Sequence, residues 1–272
     1  MTATPCQIAV HGAAGRMGQR IIEALLERKD AVLSAALVRP GAVRADTALA
    51  RDFGLRAPDL DYSADLAPEI GIDALIDFTE PESMQAGLAL ALERGAAFVT
   101  GTTGLNAAAM QSLQDAALRI PVLWASNFSL GVALLKHLAQ IAASRLGADF
   151  DVEIIEVHHR MKKDAPSGTA ISLGRAIAEA RQQSLDDVAC YGRHGTQALR
   201  APGEIGFAAV RAADVIGEHT VLFASQGERL ELTHRAGDRR VFAAGAVHAA
   251  IWLARQPAGF YDISDVLAEA AV

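Results

Sequence analysis

Residues 156–170, with the sequence EVHHRMKKDAPSGTA, bring two adjacent histidines and three further cationic side chains to a Pro-Ser-Gly-Thr turn. If the residues before the turn form a strand, side chains alternate in facing, so Glu156 and His158 share one face and His159 lies on the other. A metal ion held by both histidines is therefore not expected, and no other ligand spacing supports one. For any one of these residues, an ordinary polar position on a surface strand or loop is the competing interpretation.

The turn itself indicates a binding site for an anion. Ser167 is expected to cap a helix that Gly168 and Thr169 open. The free N–H groups of a helix N-terminus attract carboxylates, and Lys162 and Lys163 add positive charge. Histidine titrates near neutral pH, and nearby cations adjust the proton affinity of a lysine. The cluster predicts a pocket for a small dicarboxylate on which a proton moves.

A second candidate site lies near the start of the chain. Gly12, Gly15 and Gly18 stand between the apolar stretch QIAV (7–10) and the amphipathic stretch QRIIEALLERKD (19–30). Small residues between a strand and a helix allow a tight turn, and the helix N-terminus then suits a pyrophosphate; Arg16 would add a cation. A glycine-rich turn without a ligand is the alternative. The glycines lie in the first strand–helix unit of an alternating pattern, and this position favours dinucleotide binding.

The elements that must position these residues follow two different patterns. Up to about residue 150, strands at 7–10, 31–38, 73–78, 96–104 and 120–125 alternate with helical stretches, which predicts a doubly wound parallel α/β sheet. Ligands bind such sheets outside the carboxyl ends of the strands, where loops 11–18, 77–81, 101–104 and 125–129 are expected.

After about residue 150, the pattern predicts a different layer. A strand at 151–159 and a helix at 168–183 precede three closely spaced strands at 204–211, 218–225 and 228–235. Little helix separates the last three strands, which indicates a helix-covered sheet with antiparallel or mixed pairing. The tail at 242–259 is again helical, and we expect it to return to the first domain.

Composition limits the classes of function. The 272 residues are 51% hydrophobic and 21% charged, with a formal net charge of −7, so no nucleic-acid or anionic-membrane surface is expected. Cys6 and Cys190 are the two cysteines, which gives neither a disulfide framework nor a zinc site. No targeting segment and no membrane-spanning run is recognisable, so the sequence predicts a cytoplasmic protein without a membrane partner.

The stretch EIIEVHHRMKKDAPSGTA (153–170) closely resembles the signature of the 4-hydroxy-tetrahydrodipicolinate reductase family, also called dihydrodipicolinate reductases. GAAGRMG, DFTEP, GTTG, SNFSLGV, FAAGAV and YDISDVL resemble the same family at the same relative places, so the resemblance covers nearly the whole chain. It implies a Rossmann-type dinucleotide-binding domain at 1–129 plus 240–272. It also implies an α+β mixed-sheet domain at 130–239 that binds substrate and builds a homotetramer.

The resemblance implies an activity and a set of site residues. The activity is NAD(P)H-dependent reduction of 4-hydroxy-tetrahydrodipicolinate to tetrahydrodipicolinate, with loss of water, in the diaminopimelate route of lysine biosynthesis. His158 is implied as the acid/base residue and Lys162 as the proton donor, and Arg239 matches a further family arginine. The implied substrate contacts are His159, Gly168 and Thr169. The implied cofactor contacts are Gly12, Ala13, Ala14, Gly15, Arg16, Met17, Gly101, Thr102, Thr103, Ala125, Ser126, Asn127 and Phe128.

The end of the second strand bears on the choice of cofactor. NAD-binding folds often place an acidic residue there, about 20 residues after the glycines, to accept from the ribose 2′-OH. Here Val38 takes that place and Arg39 follows, with Arg44 as a more distant cation. We therefore predict that both cofactors are used, that NADPH binds more tightly than NADH, and that Arg39 contacts the 2′-phosphate.

Two other functions stay open from the sequence. One is a different Rossmann-fold dehydrogenase that acts on a small dicarboxylate. The other is a nucleotide-sensing regulatory protein in which the site is vestigial.

Overall fold

The computed structural model describes residues 4–196 and 198–268. Within these, the chain divides into two compact units. The first unit comprises the residues up to Phe128 together with those from Arg240 onward, and the second comprises Ser129–Arg239.

The secondary structure elements are numbered here in chain order. The strands are β1 Cys6–His11, β2 Ala31–Leu37, β3 Tyr62–Ser63, β4 Ala74–Asp77, β5 Ala97–Thr100, β6 Pro121–Trp124, β7 Asp151–His158, β8 Ala189–Cys190, β9 Ile205–Arg211, β10 Gly217–Ser225, β11 Glu228–Ala236 and β12 Gly259–Tyr261. The helices are α1 Arg16–Leu26, α2 Ala50–Phe53, α3 Pro81–Arg94, α4 Ala107–Ala116, α5 Leu130–Leu146, α6 Gly168–Ala180, α7 Leu185–Val188, α8 Arg240–Leu253 and α9 Ile263–Ala268. A 3₁₀ turn, Gly54–Arg56, follows α2.

The first unit is built on a seven-stranded parallel sheet of order β12-β6-β5-β4-β1-β2-β3, which confirms the predicted doubly wound class. Helices α1 and α8 pack together against the sheet, as do α3 and α4. Every residue of β4 and β5 is buried. Parallel strands covered on both faces read as continuous apolar runs, which is why the sequence shows no alternation there.

Two details of this unit differ from the sequence prediction. Helix α1 begins at Arg16, three residues earlier than predicted, because Gly15 already stands in extended conformation as its N-cap. The tail forms a shorter helix than predicted, since α8 ends at Leu253 and Gly259–Tyr261 instead pairs with β6 as an edge strand.

The second unit contains a five-stranded mixed sheet of order β11-β10-β7-β9-β8, as predicted. Strand β10 is antiparallel to β7 and β11, whereas β9 is parallel to β7 and β8. Helices α5 and α6 pack on each other, and their apolar residues share a core with Val152 and Ile154 of β7. Because facing alternates along β7, Glu156 and His158 are also buried.

Membrane and metal features are absent from the described parts of the chain. No helix within 4–196 and 198–268 is both long and apolar enough to cross a membrane. The same residues contain no cluster of three or more histidine, cysteine or acidic side chains that could hold a metal ion. Both cysteines are free thiols.

Candidate active site

The carboxyl end of β7 joins a buried carboxylate to a buried imidazole. Glu156 is 1% exposed and His158 is 8% exposed. The Glu156 Oε2 atom lies 2.5 Å from His158 Nδ1. His159 is only half-buried, in line with the predicted alternation along the strand.

Glu156 accepts hydrogen bonds from three different partners. The guanidinium of Arg211 binds both carboxylate oxygens, at 2.8 and 2.9 Å, and the backbone N–H of Ser167 donates to Oε1 at 3.1 Å. His158 is the third partner, and the four hydrogen bonds together occupy the four acceptor sites of the carboxylate. Burial alone would raise the pKa of Glu156, but the hydrogen bonds from Arg211 and His158 outweigh it and lower the pKa. Glu156 is therefore ionised at neutral pH.

The position of Glu156 fixes where His158 carries its proton. Burial lowers the pKa of His158 below the ordinary value, against the opposing effect of Glu156, so the ring is neutral at neutral pH. An ionised carboxylate can only accept, so the proton of the neutral ring lies on Nδ1 and Nε2 keeps a free lone pair. A Cβ atom at Gly217 would lie 3.0 Å from Nε2, so glycine leaves room beside this atom.

A second buried histidine stands against the first. The rings of His158 and His219 meet edge to face, with centroids 5.1 Å apart. His219 Nε2 lies 3.1 Å from the Ser167 hydroxyl. Burial, together with the positive charge that His158 carries when it is protonated, lowers the pKa of His219 to about 4. His219 is thus a neutral spacer at physiological pH rather than a second cation.

Lys162 lies within electrostatic reach of this pair. Its charge is one of the causes that lower the pKa of His158. The Nζ atom is 2.9 Å from Asp164 Oδ2, and this contact is the main cause that lowers the pKa of Asp164. A half-buried ammonium group therefore acts electrostatically on a buried neutral imidazole.

Helix α6 begins at the same cluster. Ser167 is its N-cap and accepts from the backbone N–H of Ala170 at 3.2 Å, as predicted from the sequence. Gly168 and Thr169 form the first turn, which contains no acidic residue, and the backbone of Gly168 hydrogen-bonds the Asp164 carboxylate. Gly168 is exposed. The N-terminus is therefore suited to a carboxylate ligand.

The first unit contains a cavity of about 740 Å³ at the glycine-rich loop. Eight of the predicted cofactor residues line it: Gly12, Ala14, Gly15, Arg16, Met17, Arg39, Gly101 and Thr103. Its other lining residues are His11, Val38, Ala42, Val43, Phe78, Thr79, Glu80 and Ser83. Ala13, Thr102, Ala125 and Phe128 are buried in the unit, Asn127 is half-buried and Ser126 is exposed; these six do not line the cavity.

The cavity is open because glycine, which has no Cβ atom, occupies two positions in its wall. Gly12 has a φ of +79°, and a Cβ there would lie 2.8 Å from the Thr79 side chain. A Cβ at Gly101 would lie 2.3 Å from the Phe78 ring. Helix α1 begins at this loop without a side-chain cap. Close backbone approach and an uncapped helix N-terminus fit the pyrophosphate of a nicotinamide dinucleotide.

Asp77, at the end of β4, ties the loops around this cavity together. It is fully buried and accepts from the hydroxyls of Thr79, Thr100 and Thr102, each at 2.7 Å. His11 Nδ1 lies 2.9 Å from its Oδ1 atom. One carboxylate thus connects the ends of β1, β4 and β5 with the loops that follow β4 and β5.

The arginines after β2 have separate environments. Arg39 is exposed and lines the cavity beside Val38. Arg44, which the sequence suggested as a helper, instead pairs with Asp52 at 2.6 Å and lies over the Tyr62 ring. Arg239 is exposed at the end of the second unit, and its role stays a prediction.

The sequence prediction assigned no role to Glu156, Arg211, His219 or Asp77. Glu156 could have been found, since it lies two residues before His158 on the same strand face. The other contacts depend on register: β9 places Arg211 opposite His158, and β10 places His219 opposite Glu156. Nothing in the spacing along the chain reveals those pairings.

Comparison with known proteins identifies similar chains over nearly the whole length. The family models described as dihydrodipicolinate reductase, N-terminus and C-terminus, match residues 6–128 and 131–267. The chain is 50% identical to the 4-hydroxy-tetrahydrodipicolinate reductase of Pseudomonas fluorescens strain SBW25, over 96% of this chain and 98% of that one. It is 46% identical to the enzyme of the same name from Hahella chejuensis, over 96% and 98%.

A solved structure is also similar. The dipicolinate-bound dihydrodipicolinate reductase from Paenisporosarcina sp. TG-14 aligns with a TM-score of 0.74 and 25% identity, over 95% of this chain and 98% of that one.

Proposed function

The chain belongs to the dihydrodipicolinate reductase family, and we propose how its residues carry out the reaction of that family. The reaction is the reduction of 4-hydroxy-tetrahydrodipicolinate to tetrahydrodipicolinate, with loss of water, in the diaminopimelate route of lysine biosynthesis. The chain is therefore an oxidoreductase that depends on a nicotinamide cofactor.

The first unit is the dinucleotide-binding domain in this proposal, with the sequence boundaries 1–129 plus 240–272. The loop from Gly12 to Met17 and the N-terminus of α1 would hold the pyrophosphate. Gly101, Thr102 and Thr103, and the segment from Ala125 to Phe128, would lie toward the nicotinamide half. When bound, the cofactor supplies a hydride. The support is the glycine cradle at the carboxyl ends of the parallel strands.

The second unit, at 130–239, binds the substrate in this proposal. The dipicolinate in the Paenisporosarcina structure is a planar ring dicarboxylate, and we expect a ligand of that class here. The N–H groups of Gly168 and Thr169 would hold one carboxylate, with His159 as a further contact. Such positioning of a substrate lowers the barrier to reaction because less orientational freedom is lost at the transition state.

His158 and Lys162 act as acid/base residue and proton donor. Reduction of a ring carbon conjugated to an imine leaves negative charge on the neighbouring carbon, which must take a proton. A positioned acid contributes roughly 10²–10⁴ in rate. The observation that carries this assignment is the neutral, Glu156-bound imidazole near the start of α6, which the charge of Lys162 reaches electrostatically.

NADPH is the preferred cofactor and NADH the weaker one in this proposal. The side chain of Val38 offers no acceptor to a ribose hydroxyl and no carboxylate to repel a 2′-phosphate. Arg39 lines the cavity next to it and would pair with the phosphate.

We also propose a cytoplasmic homotetramer built through the sheet of the second unit. Ile155 and Val210, on neighbouring strands, are 36% and 43% exposed, and Val157 and Leu222 are half-buried. An apolar sheet face of this kind is typical of an interface. Light scattering at micromolar concentration measures the assembly, and a monomer would contradict it.

An assay with both cofactors tests the function directly. The purified chain is mixed with the product of dihydrodipicolinate synthase and either NADPH or NADH, and the absorbance of the reduced nicotinamide is followed. We expect oxidation only when the substrate is present. Turnover of other small dicarboxylates, without turnover of this one, would overturn the proposal.

A further inference from the structure

We infer that Glu80 and Ser83 select the adenine base of the cofactor. The Glu80 carboxylate accepts a hydrogen bond from the adenine amino group, and the Ser83 hydroxyl donates to a neighbouring ring nitrogen. Both are then specificity-determining residues for the base. The inference rests on the proposed function, because it concerns the cofactor cavity of the first unit, and it adds selection of the base to the binding of the phosphates.

Glu80 and Ser83 stand three positions apart at the start of α3, so they share one side of the helix. Both line the cavity of about 740 Å³ at the glycine-rich loop. Glu80 is exposed and is the N-cap of α3, but its side chain makes no capping hydrogen bond. Within residues 4–196 and 198–268, no protein group hydrogen-bonds the carboxylate of Glu80 or the hydroxyl of Ser83. An acceptor and a donor are therefore left for a ligand.

The packing of α3 places this pair on the side of the cavity that adjoins the end of β2. Met84 of α3 belongs to the same apolar core as Leu37 of β2, so the helix covers that strand as well as β4. Val38 and Arg39, which follow β2, line the same cavity. Dinucleotide-binding folds hold the adenosine ribose at the end of this strand. The base attached to that ribose is therefore the part of the cofactor that the start of α3 would meet.

Apolar side chains complete the surroundings that a flat base requires. Ala42 and Val43 line the cavity together with Glu80 and Ser83. Val43 is 97% exposed, so a ligand that covers it removes apolar surface from water. Ligand pockets typically combine apolar walls with a few polar groups that fix the orientation of the ligand. The apolar pair suits the faces of a base, and the polar pair suits its edge.

The edge of adenine carries the groups that this polar pair would select. It presents an amino group as donor, beside ring nitrogens that accept. A carboxylate only accepts, so Glu80 suits the amino group and opposes a carbonyl oxygen at the same position. Guanine and hypoxanthine carry such an oxygen. The pair therefore predicts selection of adenine over both of these bases.

The closing experiment measures binding rather than turnover. NADH and its analogue with hypoxanthine in place of adenine are titrated into the unmodified chain by calorimetry, without substrate. We expect the analogue to bind about 10-fold or more weakly, which is within the discrimination that one good pair of base contacts supplies. Equal affinity for the two compounds would overturn the inference.

Glu80→Gln should remove this selection. The glutamine amide can donate to the carbonyl oxygen of hypoxanthine, so the analogue should bind the variant more tightly than it binds the wild type. The loss of one negative charge acts on both compounds alike, because they carry the same pyrophosphate. The ratio of the two dissociation constants therefore isolates the contact with the base, and we expect it to fall toward one. A ratio that keeps its wild-type value would exclude Glu80 from base selection.

Glu82→Gln is the matched control. Glu82 is exposed in the first turn of the same helix and does not line the cavity. The substitution removes the same charge near the same helix N-terminus, so the ratio of dissociation constants should stay at the wild-type value. Equal changes in the two variants would mean that Glu80 acts only through its charge, which contradicts the inference.

Ser83→Ala tests the second contact. Loss of one hydroxyl donor should weaken the binding of NADH several-fold, whereas Ser112→Ala, on α4 and outside the cavity, should not change it. Unchanged affinity in Ser83→Ala would overturn the role of Ser83.

The outcomes separate the inference from the proposed function. If the unmodified chain oxidises NADH in the presence of substrate but binds NADH and the hypoxanthine analogue equally, the inference is wrong and the proposed function stands. If it binds neither NADH nor NADPH, both are wrong.

Discussion

The two units each contain a buried carboxylate at the end of a strand, but the partners of the two groups differ in kind. Asp77 accepts from three threonine hydroxyls and lies against His11. Glu156 accepts from a guanidinium, an imidazole and a backbone N–H. Each carboxylate thus has one imidazole partner, but the remaining partners of Asp77 are hydroxyls of the loops that surround the cavity, whereas those of Glu156 are a guanidinium and the N-cap of α6. The first carboxylate therefore shapes a cavity, and in the proposed mechanism the second orients the imidazole that transfers a proton.

This difference divides the expected effects of mutation. Changes near Asp77 should alter the affinity for cofactor, because they move the loops that line the cavity. Changes near Glu156 should alter turnover, because they change which atom holds a proton. Mutations in each unit test that division.

The largest effect is expected for the proton-transfer residues. His158→Gln and Lys162→Met should each reduce kcat by about 10²-fold or more, because a positioned acid or base is lost. Cofactor affinity, measured by calorimetry, should stay near the wild-type value. His137→Gln, which makes the same change at an exposed position of α5, serves as the control. Near-normal turnover in both variants would contradict the assignment of proton transfer to the second unit.

Arg39→Ala should reduce NADPH affinity by about 1.5–3 kcal/mol, the range for hydrogen bonds to charged groups. NADH affinity should change little, since NADH lacks the 2′-phosphate. Arg51→Ala, at an exposed position of α2, is a control for the loss of one positive charge. Titration calorimetry at equal ionic strength measures the affinities, and tighter binding of NADH than of NADPH to the unmodified chain would contradict the prediction.

Asp77→Asn should weaken the binding of both cofactors together. The amide offers one acceptor oxygen where the carboxylate offers two, so two buried donors lose their partner, at a cost of about 1–3 kcal/mol each. This cost lowers the stability of the fold and displaces the loops that line the cavity. Asp73→Asn is the matched control, because Asp73 precedes the same strand and its carboxylate accepts only from the backbone N–H of Gln7 among the described contacts. A loss confined to NADPH would show that Asp77 acts on the phosphate site rather than on the whole cavity.

The sequence predicted the alternation of strands and helices well, because buried parallel strands and glycine-rich turns have strong local signals. It did not predict β3 and β12, which are two and three residues long and depend on neighbouring strands for their hydrogen bonds. In the site, the strand face shared by Glu156 and His158 and the cap at Ser167 follow from local spacing. The contacts of Arg211 and His219 depend on strand register, which local spacing does not determine.

Asp164 offers the smallest expected effect and the sharpest test of what Lys162 needs. Its carboxylate lies 2.9 Å from Lys162 Nζ, but the side chain is 59% exposed. Exposed ion pairs contribute about 0–1 kcal/mol, since solvent screens the charges and the long lysine side chain loses freedom when it is held. Asp164→Ala should therefore lower stability by less than about 1 kcal/mol and affect activity mainly through the order of the loop before α6. The backbone carbonyl of Asp164 still accepts from Arg211 in the variant, so the contacts of Glu156 are retained. Thermal unfolding and kcat, measured beside Asp186→Ala as a surface control, check this. A loss of turnover as large as that of Lys162→Met would mean that Asp164 positions the ammonium group for the reaction, and the unit would then depend on two carboxylates rather than one.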